Sequence, residues 1–286
     1  MYNRRKGILC ILSAAFFFAM MNTFVRLAGD LPSIQKSFFR NVVALIFSTC
    51  ILLRSEEKFR FDIKNLPYLF GRSFFGTIGI LGNFYAIDHL LLSDSSMLNK
   101  LSPFFAMIFS YFILKEKISP VQGLSLIAAM TGCALIVKPG TGMFAGHASI
   151  IGIIGGAGAG LAYTFVRILS KRGERSAFIV FFFSVFSTLV TIPFILAHHE
   201  PMSLYQFIML ICAGFSACGG QFSITAAYSN APASEISVFD YTQVIFAAVW
   251  GFVLFHQLPD VWSVVGYAMI IGTAVLMFLR REKKAG

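Results

Sequence analysis

Two ionisable side chains stand near the middle of long apolar segments, where a charge is costly if the segment crosses a bilayer. Lys100 occurs in "MLNKLSPFF" and Asp240 occurs in "VFDYTQV". At about 1.5 Å of rise per residue, continuous helices put Lys100 roughly 5 Å outward and Asp240 roughly 6 Å inward of the midplane. The pair predicts a site for a carboxylate or phosphate, and for an amine as well. The alternatives are a coupling proton on Asp240 and a pair that only holds the helices together.

Arg40, in "SFFRNVV", is a third deep charge, roughly 5 Å outward of the midplane by the same rise per residue. A guanidinium can hold a carboxylate or phosphate through two parallel hydrogen bonds. It can equally bind backbone carbonyls or the acids Asp30, Asp88 and Asp94. Uncharged polar residues, which either orient a ligand or join helices, complete the predicted substrate-binding lining: Asn22, Asn83, Asn99, Tyr163, Gln221, Tyr241 and Gln243.

Pro103 follows Lys100 by three residues and therefore shares its helix face. Because proline removes a backbone donor, we expect a kink at this point, which either serves a gate or is merely tolerated. Arg72 and Lys36 are close to the ends of their apolar segments. We expect both side chains to extend to the membrane interface.

The apolar segments indicate a membrane protein. Of the 286 residues, 57% are hydrophobic and only 13% are charged, and the mean hydropathy is +0.77; a soluble domain of this length carries more charge. A spanning helix needs about 20 mostly apolar residues, and runs this long and continuous do not fit the alternation of membrane strands. We predict an all-α integral membrane protein with ten transmembrane helices: 7–28, 33–53, 66–87, 93–114, 119–137, 148–169, 177–197, 204–227, 233–255 and 261–279.

The distribution of basic residues predicts the orientation. If both termini are inside, sixteen of the 23 Lys and Arg residues fall in inner loops and termini, and only Lys138 falls in an outer loop. This asymmetry predicts a multi-pass protein of the cytoplasmic membrane, N-in and C-in. The basic residues that mark the cytoplasmic loops thereby explain the net charge of +10, and no nucleic-acid partner is expected.

The two halves of the sequence are related. Residues 86–137 align without a gap on 226–277 at an offset of 140, which pairs Lys100 with Asp240. Because each half has five spans, an odd number, the second half enters the membrane from the opposite side as an inverted repeat. We place the boundary in a glycine-rich linker and predict two five-helix repeats: 1–140 and 141–286.

The tetrapeptide TFVR occurs twice, ending at Arg26 and at Arg167. Arg167 falls on the predicted inner side beside other basic residues, where the positive-inside rule explains it. Arg26 falls near the predicted outer side, where basic residues are scarce. We expect it either to pair with Asp30, Asp88 or Asp94 in an outer gate or to attract an anionic substrate.

A family resemblance follows from these features. The five-plus-five plan, with "FFRN" in the second span, Pro103 in the fourth and "LKEKIS" with Glu116 closing it, resembles the EamA-like branch of the drug/metabolite transporter (DMT) superfamily. The resemblance covers essentially the whole chain and implies a central cavity between the halves with alternating access. In the alignment of the two halves, Gln243 stands at the place of Pro103 and His256 at that of Glu116. The roles that the resemblance implies for Pro103 and Glu116 are therefore not extended to the second half.

The predicted function is secondary active transport of a small metabolite with a carboxylate or phosphate, amino-acid-like or nucleoside-like. Export of drug-like or cationic compounds is the alternative, and a membrane-embedded enzyme is a further one. No cofactor or metal is expected, since there is no Walker motif and the five cysteines lack metal-ligand spacing. The expected partners are the substrate, the bilayer and a coupling ion such as a proton, with the protein a monomer or a homodimer.

Overall fold

The computed structural model describes residues 3–89, 98–137, 146–255 and 261–282, and every regular element in these ranges is helical. The all-α prediction is therefore confirmed for this part of the chain. Two short 3-10 segments occur, Ile63–Asn65 and Ser237–Tyr241. The α-helices are α1 Arg4–Leu27, α2 Ser33–Arg54, α3 Leu66–His89, α4 Ser102–Leu114, α5 Pro120–Val137, α6 His147–Lys171, α7 Ser176–Ala197, α8 Leu204–Asn230, α9 Ala233–Ile236, α10 Thr242–Phe255 and α11 Val261–Glu282.

Seven helical segments within the described ranges are long and apolar enough to cross a membrane. They are α1, α2, α6, α7, α8, the composite segment Ala233–Leu254 and the Val261–Leu279 part of α11, while α4 and α5 are shorter apolar helices. The protein is thus a helical, multi-span membrane protein. The count of ten spans stays a prediction.

Polar side chains define where two of the helices begin. Asn3 accepts a hydrogen bond from the backbone N–H of Lys6 at 3.0 Å and so caps the first turn of α1. Ser203 and Gln206 form a reciprocal capping box at the start of α8. Both motifs satisfy backbone donors that a helix start otherwise leaves unpaired.

The first described residues lie beside the C-terminal part of α11, at an end of the helix bundle that we call the terminal end. The backbone N–H of Asn3 donates to the carbonyl of Asn230 at 3.0 Å, and Arg4 Nη2 donates to the carbonyl of Met277 at 2.5 Å. An N-in, C-in protein requires this arrangement. The side of the membrane that the terminal end faces stays a prediction.

The packing of the helices repeats between the two halves. Helix α1 packs against α8, and α6 packs correspondingly against α3; α4 packs against α6, and α10 correspondingly against α1. The pairs α2–α7 and α5–α11 each join a helix to its own counterpart. A bundle whose pairings are preserved when the halves are exchanged is expected of two related repeats.

Small residues let α6 approach two other helices. The G-x3-G-x3-G spacing of Gly152, Gly156 and Gly160 predicts a close helix contact. A Cβ on Gly156 would lie 2.8 Å from the carbonyl oxygen of Leu98, and one on Gly160 would lie 2.7 Å from the amide of Ala106. The stripe therefore faces α4 and the residues before it in the same chain.

Candidate functional site

The chain is not continuously helical around Lys100. Lys100 and Leu101 form a turn, α4 begins only at Ser102, and the N–H of Leu101 donates to the carbonyl of Leu98 at 3.1 Å. Pro103 stands in the first turn of α4, where its missing donor costs little. The helix is thus interrupted just before Pro103, and a gating role for Pro103 stays a prediction.

The related segment of the second half is also broken. Helix α9 ends at Ile236, a 3-10 segment covers Ser237–Tyr241, and α10 begins at Thr242. Asp240 lies within the 3-10 segment. Tighter 3-10 stretches inside longer helices often mark functional hinges. Both charged residues thus stand where their helices are interrupted.

The two breaks bring Lys100 and Asp240 into contact. Lys100 Nζ lies 3.4 Å from Oδ2 of Asp240 and donates to Oε1 of Gln243 at 2.5 Å. Tyr241 Oη donates to the backbone carbonyl of Lys100 at 2.9 Å. The interrupted helices and the long lysine side chain let the charged groups meet, although continuous helices predict different depths for the two residues. The depths themselves stay a prediction.

The position of Arg72 differs from the one that the sequence predicted. It is only 2% exposed, its Nη2 donates to Oε1 of Gln221 at 3.1 Å, and its guanidinium lies 4.1 Å from the ring centre of Phe183. The expectation that it extends to the interface is wrong. Six residues separate it from the start of α3, about 9 Å, and its face of the helix is turned towards α7 and α8. Proximity to a helix end was the misleading signal.

Arg40 is buried in α2, with 6% of its surface exposed. Its Nε is buried without a hydrogen-bond partner in the described part of the chain. No contact with Asp30 is found there, and the side chains of Asp88 and Asp94 lie outside the described residues. The neighbouring Asn41 donates to Oγ of Ser187 at 3.0 Å and so joins α2 to α7.

Tyr163 of α6 contacts α8. Its ring stacks on that of Tyr228, with centroids 4.8 Å apart. The structure therefore brings four of the residues that the sequence singled out into direct contact: Lys100, Asp240, Tyr241 and Gln243. Gln221 contacts Arg72 instead, and Arg40 and Tyr163 make no hydrogen bond to these four in the described part of the chain.

A second charged group, the terminal cluster, consists of Glu116, Arg167, Lys171 and Ser229. Glu116 Oε1 lies 3.1 Å from Arg167 Nε and 3.0 Å from Lys171 Nζ, and Arg167 Nη1 donates to the carbonyl of Ser229 at 3.2 Å. The cluster joins the ends of α4, α6 and α8. Arg167 is only 8% exposed, so the positive-inside rule is an incomplete account of it.

The remaining candidates lie apart from these contacts. Asn22 and Arg26 are exposed on α1, while Asn83 and Asn99 are half-buried. His256 lies outside the described residues. In those ranges, no group of three or more His, Cys, Asp or Glu residues is arranged to hold a metal ion.

Comparison with known proteins identifies the family. The sequence profile of the EamA-like transporter family matches the chain twice, over residues 5–138 and 148–279. The chain belongs to the EamA-like transporter family. The resemblance to drug/metabolite transporters is thereby confirmed, and two copies of the domain account for the repeated helix packing.

Curated relatives support the same assignment for this EamA-like transporter. It is 30% identical to "Pseudopaline exporter CntI" of Pseudomonas aeruginosa over 98% of both chains. It is 27% identical to human "Solute carrier family 35 member G1", covering 96% of this chain and 79% of the relative. A crystal structure of 14% identity superposes over 99% of the EamA-like chain with a TM-score of 0.81, which shows the shared fold alone.

Proposed function

We propose that the chain is a secondary active transporter that moves a small metabolite with a carboxylate or phosphate, amino-acid-like or nucleoside-like, across the cytoplasmic membrane. The observation that carries the proposal is the contact of Lys100 with Asp240 at two helix breaks related by the offset of 140 residues. Transporters built from inverted repeats bind substrate near the midplane, where discontinuous helices free backbone groups.

The charges in the interior favour an anionic substrate. Lys100 and Asp240 neutralise one another, and Arg40 and Arg72 add two further buried cations. A surplus of buried positive charge attracts a carboxylate or phosphate and repels a cation. This balance supports a metabolite anion over a purely cationic drug.

The proposed mechanism is alternating access between the repeats 1–140 and 141–286. The pair Lys100–Asp240 joins the repeats at the centre, so substrate that binds either partner alters their attachment. The terminal cluster is the proposed gate at the inner side, with both chain ends in the cytoplasm. Protonation of Asp240 is the coupling step that this arrangement allows, since a neutral carboxyl releases Lys100.

Export is the proposed direction of transport, because relatives at 30% identity are named as exporters of pseudopaline. The alternative substrate class is a drug-like or cationic compound. Such a compound would displace the Lys100 side chain and bind the Asp240 carboxylate. Comparing the transport of anions and cations of similar size distinguishes the two substrate classes.

Flux into proteoliposomes tests the proposal. Purified protein is reconstituted and supplied with labelled glutamate, succinate, a nucleoside monophosphate and, as the cationic counterpart, putrescine. We expect uptake of at least one anion and its loss in Lys100→Ala. Lys64→Ala, at an exposed lysine of the 3-10 segment Ile63–Asn65, should transport normally. Uptake of the anion by Lys100→Ala at the wild-type rate would exclude the assigned site.

A further inference from the structure

Arg40 and Arg72 are buried cations for which the described side chains provide no anion. They are 6% and 2% exposed, and the Nε atom of each is buried without a hydrogen-bond partner in the described ranges. The Arg40 side chain makes no hydrogen bond or ion pair within these ranges. Because burial removes the hydration of a guanidinium, an unmatched one is costly in a membrane protein.

The buried acids among the described side chains already have partners. Asp240 and Glu235 are the two buried acids among the described side chains. Asp240 lies 3.4 Å from Lys100, and Glu235 lies 3.7 Å from Arg4. Glu116 belongs to the terminal cluster. None of these carboxylates is in contact with either arginine.

Arg72 and the neighbour of Arg40 contact adjacent turns of α7. Gln221 accepts a hydrogen bond from Arg72 at 3.1 Å, and Phe183 covers one face of its guanidinium. Asn41, the residue after Arg40, donates to Oγ of Ser187 at 3.0 Å, one turn beyond Phe183 on α7. Arginine presents several donors in a fixed plane that matches carboxylate and phosphate oxygens. The arrangement therefore offers preorganised donors and positive charge to an anion.

We propose that Arg40 and Arg72 form an anion subsite between α2 and α3 that holds the carboxylate or phosphate of the transported metabolite. This assignment rests on the proposed transport function and gives its substrate anion a specific location. It also leaves Lys100 engaged with Asp240 and Gln243 until the anion has bound. Arg72 is one of the two arginines of this subsite, although the sequence predicted that its side chain extends to the membrane interface.

Thermal unfolding of the full-length protein in detergent, in anion-poor buffer, tests the subsite without knowledge of the substrate. Arg40→Met keeps the length of the side chain and removes the unmatched charge, so its Tm is expected to equal or exceed that of the wild type. Arg167→Met is the matched control, because this buried arginine is paired with Glu116; its Tm is expected to fall by about 5 °C or more. A comparable fall for Arg40→Met overturns the proposal.

Added anions provide the second readout. Succinate, glutamate and inorganic phosphate are each compared with chloride at equal ionic strength. We expect at least one of them to raise the wild-type Tm by about 2 °C or more. The same anion should leave the Tm of Arg40→Met and the Tm of Arg72→Lys unchanged. The proposal is overturned if no anion stabilises the wild type, or if the variants respond equally.

Failure of the subsite differs from failure of the transport function. If the wild type transports an anion while Arg40→Met is destabilised and still responds to that anion, the subsite is wrong and the function stands. If Arg40→Met is stabilised and responds to no anion, while the wild type binds but does not transport one, the subsite stands and the transport function is wrong.

Discussion

The side chains of Lys100 and Asp240, which the sequence alignment pairs at an offset of 140 residues, are in contact, with Nζ 3.4 Å from Oδ2. Each stands at an interruption of its helix. A lone charge at either position would be costly in a bilayer, so each provides the other's partner. One contact thus links the two repeats, neutralises two charges and lies between segments that are not held rigid by continuous helix.

Removing one member of this pair is expected to destabilise the fold. Lys100→Met leaves the Asp240 carboxylate buried and unpaired, which costs about 3–5 kcal/mol. In Lys100→Met/Asp240→Leu, most of this loss is recovered because no charge remains. Chemical unfolding in detergent measures the stability of the two single variants, Lys100→Met and Asp240→Leu, and of the double variant. Additive losses in the double variant would mean that the two side chains are not coupled.

Tyr241 is expected to stabilise the turn at Lys100. In Tyr241→Phe, the backbone carbonyl of Lys100 loses a buried hydrogen bond of 2.9 Å, with a cost of about 1–3 kcal/mol. Tyr111→Phe, at an exposed position, serves as the control and should leave stability unchanged. Equal unfolding midpoints for the two variants would show that the turn does not depend on this bond.

Glu116 is expected to keep the terminal end closed. Glu116→Gln removes the charge that Arg167 and Lys171 share, so the ends of α4, α6 and α8 should separate more often. The measurement is the labelling rate of Ser229→Cys by a bulky maleimide, in a protein whose five native cysteines are replaced. We expect faster labelling with Glu116→Gln.

The matched control for this gate is Glu57→Gln. Glu57 also pairs with an arginine, Arg175 at 3.0 Å, but its side chain is 65% exposed. An exposed pair contributes little, so labelling of Ser229→Cys should not change. Equal labelling rates for Glu116→Gln and Glu57→Gln would refute a gating role for the terminal cluster.

Two glycines should respond oppositely to the same substitution. In Gly160→Ala, the new Cβ would lie 2.7 Å from the amide nitrogen of Ala106 and 2.9 Å from the carbonyl oxygen of Ser102, so α6 and α4 must separate and the Tm should fall. Gly272 in α11 has nothing within 4 Å of the added Cβ. Gly272→Ala should therefore stabilise by roughly 0.5–1 kcal/mol, through helix propensity. A destabilised Gly272→Ala would point to an interface on α11.

The sequence predicted most helix boundaries within a few residues, because the length and polarity of an apolar run are local properties. It did not predict the interruptions at Lys100 and at residues 237–241, where apolar composition continues although the helix does not. The roles of Arg72 and Arg167 were also missed. Their partners Gln221 and Glu116 are distant in sequence, and only the packed helices bring them together.

The charge-swapped variant Lys100→Asp/Asp240→Lys tests the central claim most directly. It keeps an ion pair between the repeats and reverses its direction, so a purely structural pair should tolerate it in both stability and transport. We predict a folded protein with a Tm near that of the wild type and anion uptake into proteoliposomes reduced roughly tenfold or more, equivalent to about 1.4 kcal/mol. Anion uptake at the wild-type rate by the folded swap would contradict a substrate-binding role for Lys100 and Asp240.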